Sequence, residues 1–201
     1  KHSVDNAPGF EGFQLLRPTA GGDRNMAGIP AMSAFRMLDW RGGAGAHVDF
    51  APVCPANGRD ALRQYTMVKT RAAEYGFDYY GGFTAGMRHL HHIFAAIFDR
   101  DDANQVEQAG ALLRTLMSDA RAAGYGEYRA HLAYMDFAAA QYSFNDGALL
   151  RLSETIKDAL DPNGILAPGK QGIWPTSLTT AAPTSPRTGA SALTEVGRPK
   201  T

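Results

Sequence analysis

The order of apolar patterns between residues 46 and 132 constrains the fold more than any other feature of this chain. Ala46–Val53 alternates apolar and polar side chains and then meets proline-containing turns, which predicts a strand. Arg59–Tyr75 predicts a helix, because apolar side chains recur there at intervals of three to four residues. That apolar row consists of Leu62, Tyr65, Val68 and Ala72.

The pattern continues with two more strands, a second helix and a last strand. Phe77–Met87 and His89–Phe98 predict the strands, Asp101–Ala123 predicts the helix, and Glu127–Leu132 predicts the last strand. Strand, helix, strand, strand, helix, strand is the ferredoxin-like order. We therefore predict an α+β fold in which two helices cover one face of an antiparallel sheet.

The C-terminal part has a different composition. Asp146–Leu160 predicts a further helix, with Asn145 or Asp146 as its N-terminal cap. Residues 176–201 consist mainly of Thr, Ser, Ala, Pro and Gly, which do not bury enough apolar surface to offset the entropy of ordering. We predict a disordered tail over these residues.

Charge and cysteine content narrow the possible functions. Lys plus Arg number 20 and Asp plus Glu number 20, so the zero net charge gives no support for a nucleic-acid-binding surface. No apolar run approaches the length of a membrane span, and the first residues lack the apolar stretch of a signal peptide. The single cysteine, Cys54, excludes an internal disulfide and is interpreted as a small core residue. These features predict a cytoplasmic protein that does not bind membranes.

Three histidines lie close together in one predicted strand. His89 and His91 would face the same side of the sheet, as two ligands of one zinc or iron ion would. The alternative is a polar strand start whose histidines line a cavity or are satisfied by backbone groups. We predict no metal, because no third ligand lies at an obvious spacing.

Three further features do not define a function when taken singly. His47 follows a glycine-rich stretch whose backbone can approach a ligand, but taken alone it is more typical of a surface or hydrogen-bonded histidine. Tyr128 and Arg129 can stabilise an anion through a hydroxyl and a fixed charge. Lys170 either balances negative charge or is simply solvated.

Taken together, these features fall in long motifs between Trp40 and Pro175. The motifs are Arg41-Gly-Gly-Ala-Gly-Ala-His-Val-Asp-Phe, Gly86-Met-Arg-His-Leu-His-His-Ile, Gly124-Tyr-Gly-Glu-Tyr-Arg and Ile165-Leu-Ala-Pro-Gly-Lys. Through these motifs the chain resembles the C-terminal part of 4-phenol oxidases of the vanillyl alcohol oxidase and eugenol oxidase type, which carry covalent FAD.

The resemblance implies roles for individual residues. His47 matches the histidine that bonds FAD covalently. Tyr128 and Arg129 match the catalytic pair that binds the substrate as phenolate, and Arg129 also lies near the flavin. The other matches are three positions around the substrate cavity and one lysine close to the flavin: Asp49, His91 and Ile93, and Lys170.

The implied reaction is the oxidation of 4-substituted phenols. A hydride passes from the benzylic carbon to the flavin, a p-quinone methide forms, and O2 is reduced to H2O2. Histidine rather than tyrosine at position 47 favours this oxidase branch. The implied domains are the rear part of the cap (substrate) domain over residues 1–124, a helical segment completing the FAD-binding domain over 125–175, and the tail.

Family members also have an N-terminal FAD-binding domain that this sequence does not contain. We therefore expect the isolated chain to be inactive, and the complete protein to be a homo-oligomer. Two alternatives remain open. One is the flavoprotein subunit of a cytochrome-linked 4-alkylphenol dehydrogenase, and the other is a non-catalytic ferredoxin-like binding module.

Overall fold

The computed structural model describes Leu38, Arg41 and residues 44–179. The strands are β1 (Gly45–Phe50), β2 (Pro52–Pro55), β3 (Gly81–Ala85), β4 (His89–Asp99) and β5 (Gly126–Glu127). The helices are α1 (Gly58–Glu74), α2 (Ala103–Ala122), α3 (Met135–Ala139), α4 (Phe144–Leu160) and α5 (Thr176–Thr179), and 3-10 turns occupy Leu132–Tyr134 and Lys170–Gly172. The predicted α+β class is confirmed.

The sheet has the ferredoxin-like arrangement predicted from the sequence. β1 and β2 pair with β4 in one continuous antiparallel register, from Gly45 opposite Asp99 to Pro55 opposite His89. They therefore act as one strand that is interrupted at Ala51. β3 pairs antiparallel with the other edge of β4, and β5 pairs antiparallel with β2. The order across the sheet is β3, β4, β1 with β2, and β5.

Helices α1 and α2 cover one face of this sheet and form the core with it. Phe50 and Phe94 of the sheet and Leu112 and Leu116 of α2 are each at most 1% exposed. Burial of one such side chain stabilises the fold by about 1.5–3 kcal/mol. Cys54 is 3% exposed, which confirms the interpretation of this cysteine as a core residue.

The buried row of α1 differs from the predicted row. Val68 and Ala72 are fully buried, but Leu62 is 64% exposed and Gln64 is fully buried. Gln64, Val68 and Ala72 are spaced by four residues and share one side of the helix, so the helix orientation on the sheet selects this row.

Two predicted strands are shorter in the structure. The strand predicted over Phe77–Met87 is confined to Gly81–Ala85, and the strand predicted over Glu127–Leu132 is confined to Gly126–Glu127. The second strand cannot continue to Leu132 because a 3-10 turn begins after His131. The Nδ1 atom of His131 accepts a hydrogen bond from the N–H of Ala133 at 3.2 Å, which caps this turn.

The start of α4 also corrects the prediction. Asn145, Asp146 and Gly147 have φ angles of 48°, 55° and 70°, so the regular part of the helix follows Gly147. Neither Asn145 nor Asp146 is the cap. Asn, Asp and Gly are the residues that adopt this left-handed conformation most readily, which explains the kink.

The predicted disordered tail is wrong for its first four residues. Thr176–Thr179 form the short helix α5, and Thr176 donates from its N–H and its hydroxyl to Asp158 at 2.8 Å and 2.6 Å. Residues 180–201 lie outside the described residues. Among the helices of the described part, none combines the length and the apolar character that a membrane crossing requires.

Candidate active site

Most of the predicted site residues lie on the sheet face opposite α1 and α2. Alternate side chains of a strand point to opposite faces, so His47 and Asp49 face away from the helices that bury Val48. Residues that are directly opposite each other in paired strands share a face, so the pairing of β4 places His91 and Ile93 on this face as well. We call this the distal face, and it carries His47, Asp49, Val53, His91 and Ile93.

Tyr128 and Arg129 join the distal face from a remote part of the chain. The Tyr128 ring stacks on His91, with ring centroids 4.2 Å apart and an interplanar angle of 14°. Arg129 Nη2 lies 3.1 Å from Asp49 Oδ2, although the two residues are 80 positions apart. The fold therefore assembles a hydroxyl, a guanidinium and an imidazole on one surface.

Asp49 connects Arg129 with His47. His47 Nε2 lies 3.7 Å from Asp49 Oδ1, on the side of the carboxylate that Arg129 does not contact. The side chains of His47 and Arg129 are 32% and 51% exposed, so this network contributes little to stability. It orients His47 and Arg129 while leaving part of each accessible.

Glu127 lies directly beside the Tyr-Arg pair and lines the neighbouring cavity, and the sequence analysis did not single it out. It is 4% exposed, and its Oε1 accepts a hydrogen bond from the N–H of Ala51 at 3.1 Å. The pKa of Glu127 is raised to about 8, chiefly by burial; the charge of Asp49 also raises it, whereas the Ala51 N–H and the charge of Arg129 lower it. The available sequence signal was a carboxyl group directly before a Tyr-Arg pair at the start of a predicted strand.

A cavity of about 170 Å³ lies beside Tyr128. Its polar lining includes Glu127, Tyr142, Ser153 and Gln171, and its apolar lining includes residues of α3 and α4. The Tyr142 hydroxyl donates to the Glu127 carbonyl at 2.7 Å. The C-terminal segment thus packs against the end of β5 and encloses a space next to the Tyr-Arg pair.

Lys170 lies in the 3-10 turn that packs against α3. Its N–H donates to the Ala167 carbonyl at 3.1 Å, and the following residue, Gln171, lines the cavity beside Tyr128. Over residues 44–179, no hydrogen bond or ion pair joins Lys170 to the distal face. The structure thus brings six of the seven predicted site residues onto one surface and places the seventh in a neighbouring turn.

The histidines of β4 divide between the two faces. His89 and His91 lie on the distal face with ring centroids 4.5 Å apart, as predicted from strand alternation. His92 points towards the helices and is fully buried, and burial lowers its pKa to about 4. Its Nε2 lies 2.8 Å from the Tyr79 hydroxyl. Within the described residues, no group of three or more His, Cys, Asp or Glu side chains is arranged to hold a metal ion.

The fold and the site define the class of protein. The family model for the C-terminal domain of FAD linked oxidases matches residues 32–171, which is well over half of the chain. The chain therefore belongs to the FAD-linked oxidase family and contains its C-terminal domain.

Individual relatives of the chain are enzymes named for phenols. It is 36% identical over 149 residues to the 4-cresol dehydrogenase [hydroxylating] flavoprotein subunit of Pseudomonas putida, which corresponds to 74% of this chain and 28% of that protein. The structure of 4-ethylphenol oxidase from Gulosibacter chungangensis in an isoeugenol complex is similar with a TM-score of 0.70 and 36% identity, over 81% of this chain and 32% of that chain.

A second solved structure gives the same result. Substrate-bound p-cresol methylhydroxylase is similar with a TM-score of 0.69 and 32% identity, over 80% of this chain and 30% of that chain. The family resemblance inferred from the motifs is confirmed. The chain spans less than a third of the length of each of these three relatives.

Proposed function

We propose that this chain is the C-terminal part of an FAD-dependent oxidase of 4-substituted phenols, and that it is inactive by itself. The observation that carries the proposal is the meeting of Tyr128 and Arg129 with Asp49 and His47 on the distal face. The three relatives named above, which include an oxidase and a dehydrogenase of phenols, support the substrate class.

Tyr128 and Arg129 are the proposed catalytic pair that binds the substrate as phenolate. Arg129 supplies a fixed positive charge, and the Tyr128 hydroxyl supplies a hydrogen-bond donor beside it. His91 holds the Tyr128 ring by stacking, and Asp49 holds the guanidinium. Donors that are already oriented stabilise developing negative charge without reorganising during the reaction. Ile93 lies on the same face and is proposed as an apolar wall of the substrate cavity.

His47 is the proposed attachment point of FAD, and Lys170 is a second proposed flavin contact. The arrangement fits a flavin, since a partly exposed imidazole lies beside a carboxylate and near a fixed guanidinium. When bound, FAD would supply the acceptor for the hydride that leaves the benzylic carbon of the phenol. The residues of this chain would orient the ring and hold the phenolate oxygen.

The exposed apolar side of α4 supports the proposal that another domain of the complete protein covers this helix. None of the α4 residues is buried, and four apolar side chains are more than half exposed along one side of the helix. They are Leu149 (58%), Leu152 (59%), Ile156 (51%) and Leu160 (77%). A row of this kind marks a contact surface. We propose that the N-terminal FAD-binding domain of the same protein covers it, that residues 1–124 belong to the cap domain, and that residues 125–175 complete the FAD domain.

The flavin attachment is tested on the complete protein by acid precipitation. We expect yellow colour to remain with the precipitated polypeptide and to be lost in His47→Ala. His89→Ala is the matched control, because it removes another distal-face histidine. Colour that stays in His47→Ala would contradict attachment at His47. Flavin released into the supernatant would indicate non-covalent binding, and no flavin at all would favour a non-catalytic binding module.

The electron acceptor is tested with the same protein and a 4-alkylphenol. We propose an oxidase because His47 stands where the dehydrogenase branch attaches FAD through a tyrosine. Rapid O2 consumption with release of H2O2 is the expected result. Little O2 consumption together with rapid reduction of an artificial acceptor would instead support a cytochrome-linked dehydrogenase subunit.

The α4 contact is tested by truncating one side chain on each side of the helix. In the complete protein, Leu152→Ala is expected to lower the free energy of unfolding by about 2–3 kcal/mol. The reason is that the N-terminal domain would bury the Leu152 side chain, and the substitution removes that buried contact. Glu154→Ala, on the other side of α4, is expected to change it by about 0.5 kcal/mol or less. Urea unfolding measures both. Equal small effects would mean that the row stays exposed. Cytoplasmic location and homo-oligomerisation of the complete protein remain part of the proposal.

A further inference from the structure

The end of β5 is built around a buried carboxyl group that has no role in the proposed function. Glu127 is 4% exposed, and its Oε1 accepts from the Ala51 N–H at 3.1 Å. Its Oε2 is also buried, and among the described residues no donor lies within hydrogen-bond distance of it. A charged carboxylate in this position is costly, whereas a neutral carboxylic acid is tolerated.

The main chain of Glu127 is fixed on both sides. Its N–H donates to Gln141 Oε1 at 3.0 Å, and its carbonyl accepts from the Tyr142 hydroxyl at 2.7 Å. Gln141 Nε2 in turn donates to the carbonyl of Met117 in α2 at 2.8 Å. Glu127 is therefore anchored to the helix layer, directly before the residues that reach the distal face.

Ala51 links this anchor to the other half of the site. Its N–H binds the Glu127 side chain, and its carbonyl accepts from the Tyr128 N–H at 3.2 Å. Ala51 follows Asp49 by two residues, and Asp49 holds Arg129 at 3.1 Å. The Glu127 carboxyl therefore helps to fix the separation between the strand that carries Asp49 and the segment that carries Tyr128 and Arg129.

The charged and titratable groups that face Glu127 are Asp49, Arg129 and Tyr142. Asp49 already lies against Arg129 as one anion. A second anion at Glu127 would repel Asp49 and would compete with a bound phenolate for the charge of Arg129. A neutral Glu127 avoids both effects and keeps its hydrogen bond to Ala51.

We propose that Glu127 is a positioning residue for Tyr128 and Arg129, and that it acts as a neutral acid which fixes the pair without adding negative charge. This inference rests on the proposed phenolate-binding function of the pair. Because burial raises the pKa of Glu127 to about 8, the carboxyl is neutral at pH 6.5 and ionised at pH 9.5. Phenol binding therefore weakens above pH 8 in a way that depends on this residue.

The test measures the dissociation constant of isoeugenol, a 4-substituted phenol, in the complete flavin-loaded protein between pH 6.5 and 9.5. Wild type is compared with Glu127→Gln at each pH, so that ionisation of the ligand cancels in the ratio. We expect the two constants to agree within about threefold at pH 6.5. At pH 9.5 we expect wild type to bind isoeugenol about tenfold more weakly than Glu127→Gln does. A tenfold difference corresponds to ligand binding raising the pKa of Glu127 by about one.

Two further variants separate the positioning effect from general damage. Glu127→Leu removes the acceptor for the Ala51 N–H and is expected to weaken binding at every pH. Glu107→Gln, at an exposed carboxyl on α2, is the matched control and is expected to behave as wild type. A wild-type to Glu127→Gln ratio that does not change with pH would overturn the inference. So would Glu127→Gln binding as weakly as Glu127→Leu at pH 6.5.

A measurement on wild type keeps the test decisive if the variants fail to fold. Infrared spectroscopy should show a protonated carboxyl band at pH 7 that disappears on titration to pH 9.5, and its absence at pH 7 would overturn the inference. If wild type binds no isoeugenol at any pH, the proposed function fails and the inference fails with it. A ratio that does not change with pH, by contrast, removes only the role of Glu127.

Discussion

The two faces of the sheet are built from the same strands but differ in exposure: one is buried against helices, and the other carries the candidate site. The face under α1 and α2 is closed and mainly apolar, with Val48, Phe50 and Phe94 at most 3% exposed, although it also buries His92. The distal face carries ionisable and aromatic side chains that remain partly accessible, among them His47 and Arg129. In β1 the alternation of side chains separates the buried Val48 and Phe50 from His47 and Asp49, which remain partly accessible to a ligand.

This separation explains why the site has little effect on folding. Closely packed apolar contacts contribute most of the stability of a small domain, whereas a partly exposed ion pair contributes at most about 1 kcal/mol. The distal face can therefore carry the groups a ligand requires while the helix-covered face maintains the fold. Variants that affect one face but not the other test this interpretation.

The largest expected difference is between two neighbouring residues of β4. Phe94→Ala should lower the free energy of unfolding by about 3–5 kcal/mol, because a fully enclosed ring is removed. Phe94 is 1% exposed, whereas its neighbour Ile93 lies half-buried on the distal face. Ile93→Ala should cost less than half as much. Urea unfolding followed by circular dichroism measures both, and equal losses would show that the two faces are packed alike.

The next difference is in the pH dependence of stability. Burial lowers the pKa of His92 from 6.5 to about 4, so between these values the unfolded chain binds a proton that the folded chain does not. The contribution of neutral His92 to the free energy of unfolding is therefore fully present above pH 6.5. It is lost as the pH falls towards 4, by about 1.4 kcal/mol per pH unit. His92→Phe should remove this loss while keeping a ring against Phe83, whose centroid lies 4.2 Å from that of His92.

The contribution of Glu127 to stability is expected to change with pH in the opposite direction to that of His92. The pKa of Glu127 is raised from 4.5 to about 8, so the folded chain holds a proton that the unfolded chain has released. This contribution is present below pH 4.5 and is lost as the pH rises towards 8. Between pH 4.5 and 6.5 the two contributions oppose each other, whereas between pH 6.5 and 8 only that of Glu127 changes. Glu127→Gln should therefore remove the loss of stability between pH 6.5 and 8, and His92→Phe should remove the opposing gain between pH 4.5 and 6.5. Urea unfolding at pH 4.5, 6.5 and 8 measures this, and a variant that keeps the wild-type profile would refute the assignment for its residue.

A smaller effect is expected from two strand glycines on the distal face. A Cβ atom at Gly126 would lie 2.9 Å from the Tyr142 ring, whereas nothing lies within 4 Å of one at Gly82. Gly126→Ala should cost about 1–3 kcal/mol, because Tyr142 must move and its hydrogen bond to the Glu127 carbonyl is strained. Gly82→Ala is the control, and we expect it to be neutral or slightly stabilising. Similar thermal midpoints for the two variants would mean that Tyr142 does not cover β5.

The smallest effect on stability, with the largest effect on function, is expected for the ion pair of the site. Arg129→Ala should change the free energy of unfolding by less than about 1 kcal/mol, since its side chain is 51% exposed. In the complete protein the same substitution should lower the rate of phenol oxidation by a factor of about 10²–10³, because a preoriented positive charge is lost. A loss of stability as large as that of Phe94→Ala would make Arg129 a structural residue. Steady-state kinetics and urea unfolding together decide between the two.

Local patterns predicted much of the fold but not its fine boundaries. The spacing of apolar residues located α1, α2 and the strands, and alternation placed His47 with Asp49 and His89 with His91. It did not show that Gln64 rather than Leu62 is buried, because the rotation of α1 depends on the sheet beneath it. It also extended β5 to Leu132, because alternation did not reveal the 3-10 turn that begins after His131.

The sequence by itself determined the two properties that depend on neighbours along the chain. These are the alternating faces of the strands and the motifs that identify the FAD-linked oxidase family. Only the tertiary structure decided which distant groups meet, such as Arg129 with Asp49 across 80 positions and the Glu127 carboxyl with Ala51 across 76. The physical reason is that side-chain period is a local property of the backbone. Burial, hydrogen-bond partners and pKa values depend on which elements pack together.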